Sequence, residues 1–175
     1  FGDAGAVICN HEQDAETLIK LRNYGQSERY YHDSLGFNSR LDELQAAILS
    51  TKLKYMPEWT ERRREIAKLF NENIHHSDVV TPVEETEAKH VYHLFVIRTP
   101  RRDALRQYLA EHGIGTQIHY PVPCHRQKAY EFLGVEKGAL PMTEEYAEQV
   151  LSLPNYPELT DDEVLTICDV INSFQ

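Results

Sequence analysis

The segment "HYPVPCH", His119 to His125, puts two histidines, a cysteine, a tyrosine and two prolines within seven residues. Three chemistries fit such a set: a metal site, a thiol active site, or a stiff loop presenting side chains to a ligand. A metal site needs ligands spaced for a common geometry and a second cluster elsewhere. His119 and His125 stand apart on an extended, proline-stiffened run. The other histidines singled out, His75, His76, His90, His93 and His112, form no recognised ligand spacing, so no metal is expected. A cysteine nucleophile needs a base and an electropositive pocket. Cys124 has His125 beside it but reads as a small, buried apolar residue. The stiff loop is the reading that remains. Pro121 and Pro123 fix φ and reduce the entropy lost on ordering, so His119 and Tyr120 can be held toward a ligand that the pattern does not identify.

A second set is "GFNSR", Gly36 to Arg40. Gly36 allows a tight turn. Asn38 and Ser39 are common helix caps, and a helical pattern follows. Arg40 suits bidentate binding of an anionic group and equally an ion pair with Asp42, Glu43 or a partner subunit. A third, "ERRRE" (61–65), is flanked by acids and reads as a solvated, ion-paired helix face rather than a nucleic-acid patch.

These residues need elements to position them. "AGAVICN" (4–10) reads as a buried strand. "DAETLIKLRNYG" reads as a helix with Asp14 as N-cap and Gly25 as stop. "QSERYYHDSLGFNS" lacks sustained periodicity and reads as a loop. "RLDELQAAILSTKLKYM" is the strongest helical pattern, with Leu41, Leu44, Ala47, Ile48 and Leu53 on one face. Pro57 breaks that register and suits the first turn of a new helix, "PEWTERRREIAKLFNENI". The polar stretch "HHSDVVTPVEETEAK" reads as a separator between two lobes. Beyond it come a strand in "HVYHLFVIRT", a helix in "RRDALRQYLAEHG" closed by Gly113, and a strand in "GTQIHY". "RQKAYEFLG" reads as a helix. "TEEYAEQVLSL" and "TDDEVLTICDVINSF" read as helices opened by Thr143 and Thr160, the second with a Thr160–Glu163 capping box.

Composition narrows the function classes. The 18 lysines and arginines against 28 acids give a net charge of −10 over 175 residues. That balance opposes non-specific binding to nucleic acid or anionic membranes. No apolar run approaches the roughly 20 residues needed to span a bilayer, and "FGDAGAVICN" lacks the basic and apolar regions of a secretion signal. Three scattered cysteines, Cys9, Cys124 and Cys168, fit reduced thiols in a cytoplasmic protein.

Taken in order, "GDAGAVICN" (2–10), "LRNYG" (21–25), "HDSLGFNSRLDELQAAIL" (32–49), "WTERRREIA" (59–67), "HVYHLFVIR" (90–98), "GIGTQIHYPVPCHRQ" (113–127) and "LSLPNYPELTDDE" (151–163) form a specific set. The chain resembles the C-terminal half of the nucleotide-sugar aminotransferases of the DegT/DnrJ/StrS type, fold-type-I enzymes that use pyridoxal phosphate. The resemblance implies an α+β piece: the end of a large cofactor-binding domain (1–56), a helical connector (57–78) and a small α+β lobe (79–175). It implies a homodimer in which Asn38 reaches the neighbouring active site and donates to the cofactor phosphate. It implies that His119 and Tyr120 approach the sugar, with Arg40, His32 and Tyr31 as further substrate contacts. The implied reaction moves an amino group from an amino acid, glutamate or glutamine, to a nucleotide-linked keto-sugar.

In this family the Schiff-base lysine precedes the "GDxG" segment, where this chain begins. Its seven lysines lie in other contexts. The expectation is therefore a fragment of an enzyme, inactive alone and holding no catalytic residue. Two alternatives stand beside it: a sugar dehydratase of the same family, with histidine replacing that lysine, and a non-catalytic binding module with the small-lobe fold.

Overall fold

The computed structural model describes residues 4–175. Residues 1–3, with Gly2 and Asp3 of the first family-like segment, lie outside the described residues. The chain forms two compact units, one ending at Met56 and one running from Pro57 to Gln175.

In the first unit, residues 4–10 are not the expected buried strand. They are irregular, and Val7 and Ile8 are exposed. A strand exists by pairing, and no described strand lies against them. Helix α1 (Glu12–Leu21) starts two residues before the expected cap. His11 is its N-cap, and Asp14 lies inside the first turn with Glu12, near the positive end of the helix dipole. The chain leaves α1 through two left-handed residues, Tyr24 (φ +62°) and Gly25 (φ +68°). The expected loop after Gly25 contains a short antiparallel hairpin, β1 (Gln26–Glu28) and β2 (Tyr31–His32). Helix α2 (Glu43–Leu53) follows with Asp42 as N-cap. Leu41, Leu44 and Leu53 are exposed, so the apolar periodicity made a helix without burying its face in this chain.

The second unit begins one residue inside α3 (Met56–Asn73), at Pro57 in the helix's first turn, where no intrahelical N–H bond is lost. The unit is α+β. Strands β3 (Phe95–Arg98) and β4 (Val150–Leu153) pair antiparallel, Phe95 opposite Leu153 and Ile97 opposite Leu151. Single bridges extend the ladder on both sides, Val80 to Arg98 and Gln117 to Ser152. Helices α4 (Arg102–Glu111), α5 (Pro141–Gln149) and α6 (Asp161–Asn172) complete it. Ile66 and Phe70 of α3, Phe95 and Ile97 of β3, Leu105 and Leu109 of α4, Leu151 of β4 and Ile171 of α6 form one buried core.

Several expectations are corrected here. "VLSL" is β4, not the end of a helix: Leu151, Ser152 and Leu153 are all buried against β3, and a fully buried apolar run has no helical face to show. "GTQIHY" contributes one bridge, not a strand. "RQKAYEFLG" forms tight 3-10 turns over Cys124–Arg126 and Lys128–Leu133. α5 begins at Pro141, not at Thr143. The polar stretch 75–89 does not separate two bodies, because Val80 pairs with Arg98 and His76 Nε2 bonds the Phe174 carbonyl at 2.8 Å. The "ERRRE" arginines are half-buried rather than solvated. Arg62 reaches the Leu159 carbonyl and Asp161, both at 2.7 Å. Arg63 donates to the Asn155 carbonyl, and Arg64 to Glu84 and the His90 carbonyl. The three together clamp the loops at 84–93 and 155–161 onto α3. The Thr160–Glu163 capping box is present on α6.

Candidate functional site

In the first unit the "GFNSR" segment is stitched to the end of α1. Phe37 N–H donates to the Leu21 carbonyl (2.7 Å), Tyr24 N–H to the Phe37 carbonyl (2.8 Å) and Ser39 N–H to the Arg22 carbonyl (2.9 Å). Gly36 makes this approach possible. A Cβ there would lie 2.1 Å from the Gly25 backbone nitrogen and 2.8 Å from the Leu21 carbonyl oxygen. Its value is close backbone approach rather than an unusual φ.

Asn38 does not stand at the N-cap of α2; Asp42 does, without a side-chain capping bond. Instead Arg40 Nε donates to Asn38 Oδ1 at 3.0 Å. Arginine can only donate, so the atom it touches must be the amide oxygen, and the NH₂ takes the other side. That NH₂ has no partner among the described residues. Arg40 is exposed and makes this bond, and among the described residues it forms no ion pair with Asp42 or Glu43, one of the two roles its type suited. His32 Nδ1 donates to the Tyr24 carbonyl (3.0 Å), which ties the hairpin to the same turn. Tyr31 is exposed beside it.

In the second unit the heptapeptide is pinned at both ends. His119 Nδ1 lies 2.8 Å from Ser152 Oγ on β4, and its ring meets Tyr120 edge-on at 5.4 Å. Tyr120 is largely exposed. At the far end His125 Nε2 donates to Glu144 Oε1 on α5 at 3.1 Å. Both side chains are mostly buried, 8% and 16% exposed. Glu144 also accepts from Gly138 N–H at 2.8 and 3.0 Å. These bonds hold its carboxyl below the usual range, the His125 bond being the largest cause and Gly138 N–H the next. Cys124, which opens the 3-10 turn after Pro123, is exposed, against the expected burial. The buried thiol is Cys168 of α6, which burial pushes up to about 11. Among the described residues no three of His, Cys, Asp or Glu stand close enough to hold a metal.

The structure thus brings Tyr31, His32, Asn38 and Arg40 into one loop system, and His119 with Tyr120 into another. Sequence reasoning missed Ser152 and Glu144. The signal for Ser152 was present: a lone hydroxyl in the apolar run "VLSL" needs a buried partner. Glu144 carried no such signal, since an acid in a first helical turn already suits the dipole.

The model of the DegT/DnrJ/EryC1/StrS aminotransferase family matches residues 1–172. The chain belongs to this family. A Geobacillus stearothermophilus relative named a pleiotropic regulatory protein is 41% identical over 99% of this chain and 48% of its own length. The dTDP-3-amino-3,6-dideoxy-alpha-D-galactopyranose transaminase of Aneurinibacillus thermoaerophilus is 44% identical over 97% of this chain and 46% of its own. Among solved structures, S. venezuelae DesV in complex with a ketimine intermediate superposes with a TM-score of 0.88 at 40% identity, covering 93% of this chain and 44% of DesV. The chain spans about half the length of the curated relatives it matches. The Asn38 amide NH₂, without a partner among the described residues, and the Arg40 guanidinium beside it have the donor chemistry that a phosphate such as that of pyridoxal phosphate takes. No helix among the described residues is long and apolar enough to cross a membrane.

Proposed function

We propose that the protein containing this chain is a pyridoxal-phosphate-dependent aminotransferase that delivers an amino group from glutamate or glutamine to a nucleotide-linked keto-sugar. The observation that carries this reading is the 44% identity to a dTDP-amino-sugar transaminase over 97% of the chain. Pyridoxal phosphate, when bound, supplies the electron sink for moving the amino group. This chain's residues bind and orient. Residues 1–56 belong to the end of the cofactor-binding domain, 57–78 form the helical connector and 79–175 the small lobe. Asn38 donates its NH₂ to a phosphate oxygen of the cofactor in a second copy of the protein, so the active unit is a homodimer. Arg40 fixes the amide's orientation through Nε and offers the rest of its guanidinium to an anionic group of the substrate. His119 donates to a hydroxyl or diphosphate oxygen of the sugar nucleotide, and Tyr120, stacked on it edge-on, adds a second polar contact. His32 and Tyr31 line the substrate side of the hairpin. The protein works in the cytoplasm and uses neither nucleic acid nor a membrane.

The test is Asn38→Ala in the full-length protein. A lost hydrogen bond to a charged phosphate costs about 1.5–3 kcal/mol, or about 10- to 150-fold in cofactor affinity. An unchanged cofactor dissociation constant would remove Asn38 from the site. A full-length enzyme that eliminates water from the sugar without consuming amino donor would replace the whole reading.

A further inference from the structure

The buried contact between β4 and the head of the heptapeptide carries more than a loop anchor. Ser152 is 4% exposed. Both of its backbone groups are taken: its N–H donates to the Gln117 carbonyl at 2.7 Å, and its carbonyl accepts from Gln117 N–H at 3.2 Å. Its hydroxyl has one partner among the described residues, His119 Nδ1 at 2.8 Å. Two proton arrangements fit that distance. If Nδ1 carried the proton and donated to Oγ, the serine hydrogen would be buried with no acceptor. If the hydroxyl donates to Nδ1, both groups are satisfied. The second arrangement leaves the neutral imidazole with its proton on Nε2. Nε2 sits on the ring edge away from Ser152 and has no partner among the described residues.

We propose that Ser152 is a positioning residue whose buried hydroxyl holds His119 as the Nε2–H tautomer and so presents a fixed N–H donor to an oxygen-bearing ligand. On the reading of His119 given above, that ligand is a hydroxyl or diphosphate oxygen of the sugar nucleotide. The device works because the ladder fixes Ser152 and the bridge at Gln117 brings the chain of His119 alongside it, two residues on. Three hydrogen bonds to one strand residue then define both the path of the backbone and the proton on the ring. The tautomer of an imidazole is set by the hydrogen bond made by its other nitrogen, and here that partner lies 33 residues away in sequence.

The experiment uses the intact protein with 15N-labelled histidine and long-range proton–nitrogen spectra, the His119 signals being identified by their loss in His119→Gln. At a pH where the ring is neutral, the wild type should show an unprotonated Nδ1 and a protonated Nε2. Ser152→Ala should relax His119 toward a tautomer mixture, and Ser152→Thr, which keeps the hydroxyl, should restore the single form. A protonated Nδ1 in the wild type overturns the assignment. In turnover assays Ser152→Ala should raise the Michaelis constant for the sugar nucleotide about 2- to 10-fold, because the ring loses its 2.8 Å anchor and only a fraction of rings then has both the orientation and the tautomer that present Nε2–H, with turnover little changed. Adding Ser152→Ala to His119→Ala should cost nothing further. An altered tautomer with an unchanged Michaelis constant overturns the presentation to the sugar, and with it the role given to His119. An unaltered tautomer in Ser152→Ala overturns the hold of Ser152 and leaves that role standing.

Discussion

Replacing Gly36 by alanine tests how the "GFN" loop is built. The added Cβ would sit 2.1 Å from the Gly25 nitrogen and 2.6 Å from the Tyr24 carbonyl carbon, whereas ordinary contact begins near 3.4 Å. Both neighbours are backbone, so no side chain can swing aside. The loop must move by more than 1 Å. The three backbone bonds that stitch it to α1 are 2.7 to 2.9 Å long, and a displacement of that size takes them beyond hydrogen-bonding reach. At about 0.5–1.5 kcal/mol net for each bond, the local cost is about 2–4 kcal/mol. Two readouts follow. Hydrogen exchange at the amides of Tyr24, Phe37 and Ser39 should accelerate by about 30- to 1000-fold if the stitched state becomes the minor one. In the full-length protein cofactor affinity should fall at least as far as in Asn38→Ala, because the donor itself is displaced. Gly5, which has open space around its missing Cβ, serves as the control position for the same substitution. Unchanged exchange at those three amides in Gly36→Ala would refute the close-approach argument, and unchanged affinity would separate the loop from the cofactor.

Further outcomes follow from the second unit. His119→Ala in the full-length enzyme should mainly raise the Michaelis constant for the sugar; normal sugar binding with activity lower by several orders of magnitude would instead make His119 the catalytic base. The Glu144 carboxyl is lowered from its ordinary value of 4.5 in the folded chain, so its bonds to His125 and Gly138 stabilise the fold fully above that pH. They are lost as pH falls through the lowered folded value. Exchange protection of the Gly138 amide should therefore be flat above about pH 4.5 and decline below it, and Glu144→Gln should abolish that decline. Thr160→Ala removes the α6 cap and should cost about 0.5–2 kcal/mol in denaturant unfolding; a smaller loss would mean that the box seen here adds nothing to stability. Alkylation of the native chain, read by mass spectrometry, should label exposed Cys124 and spare Cys168, whose buried thiol is pushed up to about 11; equal labelling would contradict the burial of α6.

Features readable within three or four residues were legible in the amino-acid sequence. The Thr160–Glu163 capping box, Gly113 after α4 and Pro57 at the start of α3 each act on their own turn of helix, so their residue types suffice. The proline-stiffened heptapeptide was legible as a loop for the same reason, since proline restricts its own φ wherever the chain goes. The order of the family-like segments carried the resemblance to the DegT/DnrJ/StrS family, whose model matches residues 1–172.

What depends on partners far along the chain was decided only by the tertiary structure. "VLSL" has too few residues to choose between helix and strand; β3, more than fifty residues earlier, makes it a strand. Gly36 could have been a simple turn residue, and only the backbone of Gly25 and Leu21 beside it shows that a Cβ has no room. Arginines spaced like surface ion-pair residues became a clamp because carbonyls of two distant loops lie within their reach. His119 and His125 were visible as chemistry in the sequence, but their proton positions were not. Those are set by Ser152 and Glu144, 33 and 19 residues away, because a hydrogen bond depends on which donor and acceptor are brought together and not on how far apart they lie in the chain.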